Sequence, residues 1–265
     1  MTSVQDQWAA GSSYEEFMGR WSRRLAPEFI SWLQIPPGAH WLDVGCGTGA
    51  LTNAVCNHAN PASVVGCDPS TAFIDFAGEY SRDARQSFVT AGIGSLPHRP
   101  EGYGCVASLF ALNFLPDPEA AVREMQSVTA PMATVAACVW DYSDGMQFLR
   151  HFWDAAASLD PAASALDEGN RFPLCHPAPL MNLFQHVDLG DVRCEPIEIR
   201  TVFASFDDYW QPLLGGTGPV PSYVASLGTD DRATLARHLE ATLPRDADGA
   251  IALMARAWAV RGKVI

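Results

Sequence analysis

The segment Asp43-Val44-Gly45-Cys46-Gly47-Thr48-Gly49 constrains the fold more than any other. It follows the apolar run His40 to Val44 and precedes a helical pattern from Ala50 to His58, so its glycines form a strand-to-helix turn. Glycine accepts positive φ and lets a ligand approach the main chain with no Cβ in the way. A second apolar run, Ser63 to Cys67, ends at Asp68-Pro69-Ser70. An acid there can accept hydrogen bonds from both hydroxyls of a ribose lying across the carboxyl edge of a parallel sheet. Capping the following helix is the plainer role for Asp68. The spacing Gly45, Gly47, Ala50 also satisfies the dinucleotide fingerprint G-x-G-x-x-G/A, so two nucleotide classes stay open.

The alternation continues along the chain. A helix is expected over 71–81, strands over 87–90, 104–110 and 134–140, and a helix over 119–128. Near-continuous apolar strands between helices predict a parallel sheet buried on both faces. Ahead of the sheet, Tyr14, Phe17, Met18, Trp21, Leu25, Phe29 and Trp32 recur at three- and four-residue spacings, a helical stripe that should break near Pro27. After Trp140 come an aromatic helix (Met146, Phe148, Leu149, Phe152, Trp153), a Pro/His loop over 172–179 and a helix over 180–186, which together predict an insertion above the sheet. A strand over 192–203, helices over 206–214 and 230–243, and a closing strand over 251–260 complete the pattern. The expected units are an N-terminal helical lid (1–37), a cofactor-binding α/β core (38–140), a helical cap (141–190) and a return to the core sheet with inserted helices (191–265).

Composition narrows the partners. Thirty acidic against seventeen basic residues give a net charge of -13, which repels nucleic acid at long range. Arg20, Arg23 and Arg24 form the one dense basic cluster and read as a solvated helix face. The seven cysteines are scattered without a C-x-x-C pair, as expected of buried thiols in a reducing compartment. The histidines make no zinc-type cluster. No run of about eighteen apolar residues and no basic, apolar leader is present, so the expected location is cytoplasmic, without a membrane partner.

Trp41 to Gly49 closely resembles the first motif of class I S-adenosylmethionine-dependent methyltransferases. The likeness continues through Val65-Gly66-Cys67-Asp68-Pro69-Ser70, Leu96-Pro97 and Phe110 to Pro118, and in broad pattern is similar to the branch that includes ubiquinone and menaquinone biosynthesis methyltransferases. It covers roughly residues 38 to 140. The resemblance implies a Rossmann-like fold: a mostly parallel seven-stranded sheet with an antiparallel last strand, helices on both faces and a helical cap. It implies S-adenosyl-L-methionine as cofactor, with its methionyl group beside Asp43, Gly45, Cys46 and Gly47. The ribose would then sit on Asp68, the adenine between Pro69 and Gly92-Ile93, and Asn113 would face the sulfonium. Family members carry an acid where this chain has Gly92, and the usual Arg-Pro-Gly-Gly turn is Ala130-Pro131-Met132-Ala133 here. The stretch Tyr14 to Trp21 is similar to a lid segment in relatives, which implies Tyr14 over the reacting methyl and Arg20 on the cofactor's carboxylate.

Methyl transfer from a sulfonium is an in-line displacement in which positioning and water exclusion do most of the work. Where a base helps, Asp141, Tyr142, His151 and His176 are the candidates beside Asn113 as an orienting group, and His151 on its aromatic helix face is the first choice. Trp140, Phe148, Phe152, Trp153, Tyr209, Trp210 and Tyr223 are equally suited to lining a pocket for an apolar or aromatic small-molecule acceptor and to forming the core of the cap. An NAD-dependent dehydrogenase and a non-catalytic S-adenosylmethionine-binding protein are the competing functions. DNA amino methylation is disfavoured, since Asn113-Phe114-Leu115-Pro116 stands where Asn-Pro-Pro-Tyr is typical.

Overall fold

A computed structural model describes residues 14–215 and 218–265. The expected lid's residues 1–13 lie outside the described residues. Strands β1 (His40–Val44), β2 (Ser63–Asp68), β3 (Gln86–Thr90), β4 (Tyr103–Leu109), β5 (Thr129–Trp140), β6 (Gly190–Phe203) and β7 (Ile251–Lys263) form one sheet in the order β3-β2-β1-β4-β5-β7-β6. The first five pair in parallel, and β7 runs antiparallel to both β5 and β6. This is the expected Rossmann-like class I fold. The chain reverses between β1 and β2 on one side and β4 on the other, so a crevice opens outside the carboxyl ends of these strands, the usual ligand position in an open α/β sheet.

Helix α1 (Arg20–Leu33) does not break at Pro27 but runs through it. Proline removes one hydrogen bond at a cost of about 3 kcal/mol. Against this, α1 buries Trp21, Leu25, Phe29, Ile30 and Leu33, each at most 6% exposed. At roughly 1.5 to 3 kcal/mol for each buried side chain, packing outweighs the lost bond. Over these residues the N-terminal segment packs on the core, with Trp21 set edge-on to Phe203 at 5.2 Å between centroids.

Helices α2 (Ala50–His58), α3 (Thr71–Glu79) and α4 (Pro118–Ser127) follow β1, β2 and β4. Ser70 caps α3 by accepting from the Phe73 amide, so the cap role does not fall to Asp68. Strand β5 begins at Thr129, five residues earlier than the pattern suggested, because Thr129 pairs with Tyr103 of β4, whose amide donates to the Val128 carbonyl at 2.9 Å. The cap helix α5 (Gln147–Leu159) packs on the sheet, and Phe148, Phe152, Trp153, Tyr209, Trp210 and Tyr223 are all buried. The Tyr209 hydroxyl donates to the Phe148 carbonyl at 2.9 Å, fixing that cluster as the cap's core. No described helix is long and apolar enough to cross a membrane.

Candidate active site

The turn after β1 is held by its main chain. Gly45 and Cys46 donate their amides to the Cys67 carbonyl at 2.8 and 2.9 Å, which ties the turn to the end of β2. Gly45 takes φ of 73° and Gly47 of 51°, values that favour glycine. A Cβ on Gly45 would lie 2.4 Å from the Ala111 Cβ, whereas one on Gly47 would meet no atom within 4 Å. The first glycine therefore permits close packing on the segment after β4, and the second keeps a ligand approach open.

Two carboxylates stand at the strand ends. Asp43, 2% exposed, accepts from the Thr52 amide at 3.0 Å and the Thr52 hydroxyl at 2.7 Å through Oδ2. Its Oδ1 is buried with no hydrogen-bond partner. Burial pushes this carboxyl up to about 7 despite the opposing pull of the Thr52 bonds. Asp68 accepts from the Gly47 amide at 3.0 Å and the Ser70 amide at 2.9 Å, and burial raises its pKa against those bonds.

Both acids open onto a cavity of about 360 Å³. Of the residues tied to the cofactor by sequence, Asp43, Gly45, Cys46, Gly47, Asp68, Pro69 and Tyr14 line it. The Tyr14 hydroxyl lies 3.2 Å from Ser22 Oγ, and its ring meets the edge of Phe73 at 6.0 Å. Tyr142 and Trp140 line the cavity as well.

Five sequence assignments fall elsewhere. Arg20 is outside the cavity wall: its guanidinium donates to Asp208 at 2.7 Å and lies over the Trp21 and Phe203 rings at 4.4 and 4.7 Å. Its ionic partner thus comes from a later segment of the chain. A Cβ on Gly92 would lie 3.4 Å from the Pro69 Cβ, and neither Gly92 nor Ile93 is among the described residues lining the cavity. Asn113 lies in a 3-10 turn (Leu112–Phe114), buried, with both amide atoms unpartnered among the described residues, and is not among those lining the cavity. His151 on α5 does not reach the cavity either. Among the other base candidates, His176 is not in the wall, and Asp141 is bound to Arg256 at 2.7 Å and to Ser143 at 3.1 Å.

Sequence reasoning missed Met18, Ser22, Phe73 and Leu109 to Ala111, all in the wall. Phe73 was findable, because the first turn of the helix after β2 faces the same crevice as Asp68. Phe110 carried no signal: it takes φ of 63°, unusual for a bulky residue, and stacks on Trp140 at 4.0 Å and 8°. Ahead of α1, a π-helical turn (Glu15–Gly19) brings Glu15 to the Thr48 hydroxyl, and Arg23 donates to the same carboxylate at 2.7 and 3.0 Å.

Residues 42–137 match the family described as a methyltransferase domain. Trans-aconitate 2-methyltransferase of Variovorax paradoxus (strain S110) is 29% identical over 113 residues, 43% of each chain. Demethylmenaquinone methyltransferase of Chlamydia pneumoniae is 31% identical over 94 residues, 36% of this chain and 41% of the relative. The chain thus aligns with less than half the length of these curated relatives. In fold it is similar to Haemonchus contortus phosphoethanolamine N-methyltransferase 2 in complex with S-adenosyl-L-methionine, with a TM-score of 0.58, 14% identity, and coverage of 96% of this chain and 56% of that one.

Proposed function

We propose that the chain, whose residues 42–137 match a methyltransferase domain, takes S-adenosylmethionine as cofactor and transfers its methyl group to a small-molecule acceptor. The observation that carries this reading is the bonding of Asp43. Its Oδ2 occupies the Thr52 amide in the first turn of α2, where a dinucleotide's pyrophosphate would need free N–H groups and no negative charge. Its unpartnered Oδ1, buried in the cavity wall, suits the ammonium of an amino acid. The glycine turn and the two acids therefore fit an aminoacyl nucleoside and oppose NAD.

When bound, S-adenosylmethionine supplies an electrophilic methyl on a sulfonium. The chain's own residues bind, orient and dry the site. Asp43 would hold the ammonium, and Asp68, whose oxygens retain lone pairs beside the Gly47 and Ser70 amides, would accept from the ribose hydroxyls. Tyr14, Met18 and Phe73 close the cavity from the N-terminal side and exclude water. Alignment of the acceptor with the methyl would supply most of the rate, with no further group required for the displacement.

Calorimetry tests the reading: S-adenosylhomocysteine should bind saturably and NAD should not. The opposite result removes it. Asp68→Asn should weaken S-adenosylhomocysteine about tenfold, the loss of roughly 1.5 kcal/mol expected when a charge-assisted hydrogen bond becomes neutral; an unchanged affinity would show that the ribose lies elsewhere. Arg20→Ala should leave that affinity within about twofold of wild type, since the guanidinium is engaged with Asp208. A larger loss would restore Arg20 to the cofactor.

A further inference from the structure

The N-terminal turn and the glycine turn meet at one carboxylate. Glu15, which opens the π-helical turn ahead of α1, accepts from the Thr48 hydroxyl and from Arg23 Nε and Nη2 at 2.7 and 3.0 Å. Arg23 Nη2 also donates to the Thr48 carbonyl at 3.4 Å, so both members of the ion pair hold the same residue of the glycine turn. Gly19 makes the room for this. The three atoms nearest to a Cβ placed there are Cδ, Oε1 and Oε2 of Glu15, at 2.7, 2.8 and 2.9 Å, so the carboxylate lies against the Gly19 main chain where a side chain would push it away. Single π-helical turns of this kind recur at functional sites.

This clasp joins two parts of the cavity wall from outside. Tyr14, Met18 and Ser22 line the cavity on one side and Gly45 to Thr48 on the other, whereas neither Glu15 nor Arg23 is among the described residues that line it. Glu15 follows Tyr14 in the chain and Met18 precedes Gly19, so a shift of the carboxylate is passed to both wall residues. An isolated ion pair on a surface contributes little. Here the pair is bidentate and shares its acid with Thr48, which is 2% exposed, and such a network holds its geometry better than a single contact.

On the methyl-transfer reading above, we propose that Glu15 is a positioning residue for the cofactor, clasping the N-terminal turn to the glycine turn so that Tyr14 and Met18 stay over bound S-adenosylmethionine. A cofactor lying on the glycine turn beneath these two side chains leaves when the two walls part. The clasp spans that seam, so it acts on the rate of release and touches no atom of the ligand. It also gives Arg23 a task that its place in a basic cluster does not announce: the guanidinium turns the Glu15 carboxylate toward Thr48 instead of standing in solvent.

The test is the release of S-adenosylhomocysteine from the full chain, followed by surface plasmon resonance, with a thermal melt of each variant in the absence of ligand. Glu15→Ala should release the ligand about five- to tenfold faster, for the loss of one hydrogen bond and one networked ion pair. Glu15→Gln can still accept from Thr48 but lacks the charge, and should fall between Glu15→Ala and wild type. Gly19→Ala separates position from stability. Alanine favours a helix over glycine, and the atoms it displaces are the flexible end of Glu15, so this variant should melt no lower than wild type and still release the ligand at least about threefold faster. If wild type does not bind S-adenosylhomocysteine, the methyl-transfer reading falls and this inference with it. If wild type binds, but Glu15→Ala and Gly19→Ala release the ligand at the wild-type rate, or release is faster only in variants that melt lower, Glu15 is a structural acid and the methyl-transfer reading stands without it.

Discussion

Asp43→Asn should lower the affinity for S-adenosylhomocysteine by about one to two orders of magnitude, the roughly 1.5 to 3 kcal/mol that a charged hydrogen bond contributes. Its amide oxygen can still accept from the Thr52 amide and hydroxyl, so the anchor of β1 to α2 survives while the charge is gone. Stability should move the other way. The carboxyl is raised by burial from 3.8 to about 7 in the folded chain. A raised group contributes stability fully below its unfolded pKa and loses it as pH rises through the folded value. Ligand-free wild type therefore carries an ionised, half-satisfied acid at pH 8, and the Asn variant should melt at the same temperature or higher there, with its advantage shrinking by pH 5. Thermal melts at the two pH values, alongside calorimetry, check this. A variant that binds normally and melts lower would mean that Asp43 is a structural acid and nothing more.

Gly45→Ala should be the most destabilising single methyl addition in the site. The new Cβ would sit 2.4 Å from the Ala111 Cβ, and the backbone is already at φ of 73°. Overpacking costs about 1 to 3 kcal/mol and the left-handed conformation about 1 to 2 kcal/mol more. Urea unfolding should report a loss of about 3 kcal/mol, with weakened cofactor binding. Gly47→Ala, which meets no atom within 4 Å, pays the conformational part alone and should unfold less readily than Gly45→Ala. Equal losses at both positions would contradict the packing account.

The parts of this fold legible in the sequence are those set by neighbouring residues. The glycine turn, Asp68 at the end of β2 and helix Ala50–His58 each announce themselves within a few positions. What could not be read depends on distant partners. Arg20 is placed by Asp208, and the early start of β5 by Tyr103. Helix Pro219–Ser226 went unseen because Pro219 and Pro221 suggest a turn, although a proline in the first helical turn is well tolerated. The site divides in the same way. The residues of the two motifs line the cavity as their spacing suggests, whereas Phe110 enters the wall through its stacking on Trp140, a contact between two strand ends that local sequence does not show.

The order β5-β7-β6 has a consequence for how the chain is made. β7, which follows both neighbours in the chain, lies between two strands made earlier, with Cys138 facing Ala259 on one side and Phe203 facing Ile251 on the other. Until residues 251–263 leave the ribosome, one long edge of β5 and both edges of β6 have no partner in this sheet. Unpaired edges recruit other chains. A chain that stops before Ile251 should therefore carry the residues of the glycine turn and yet expose these edges, and should aggregate more readily than one that includes β7.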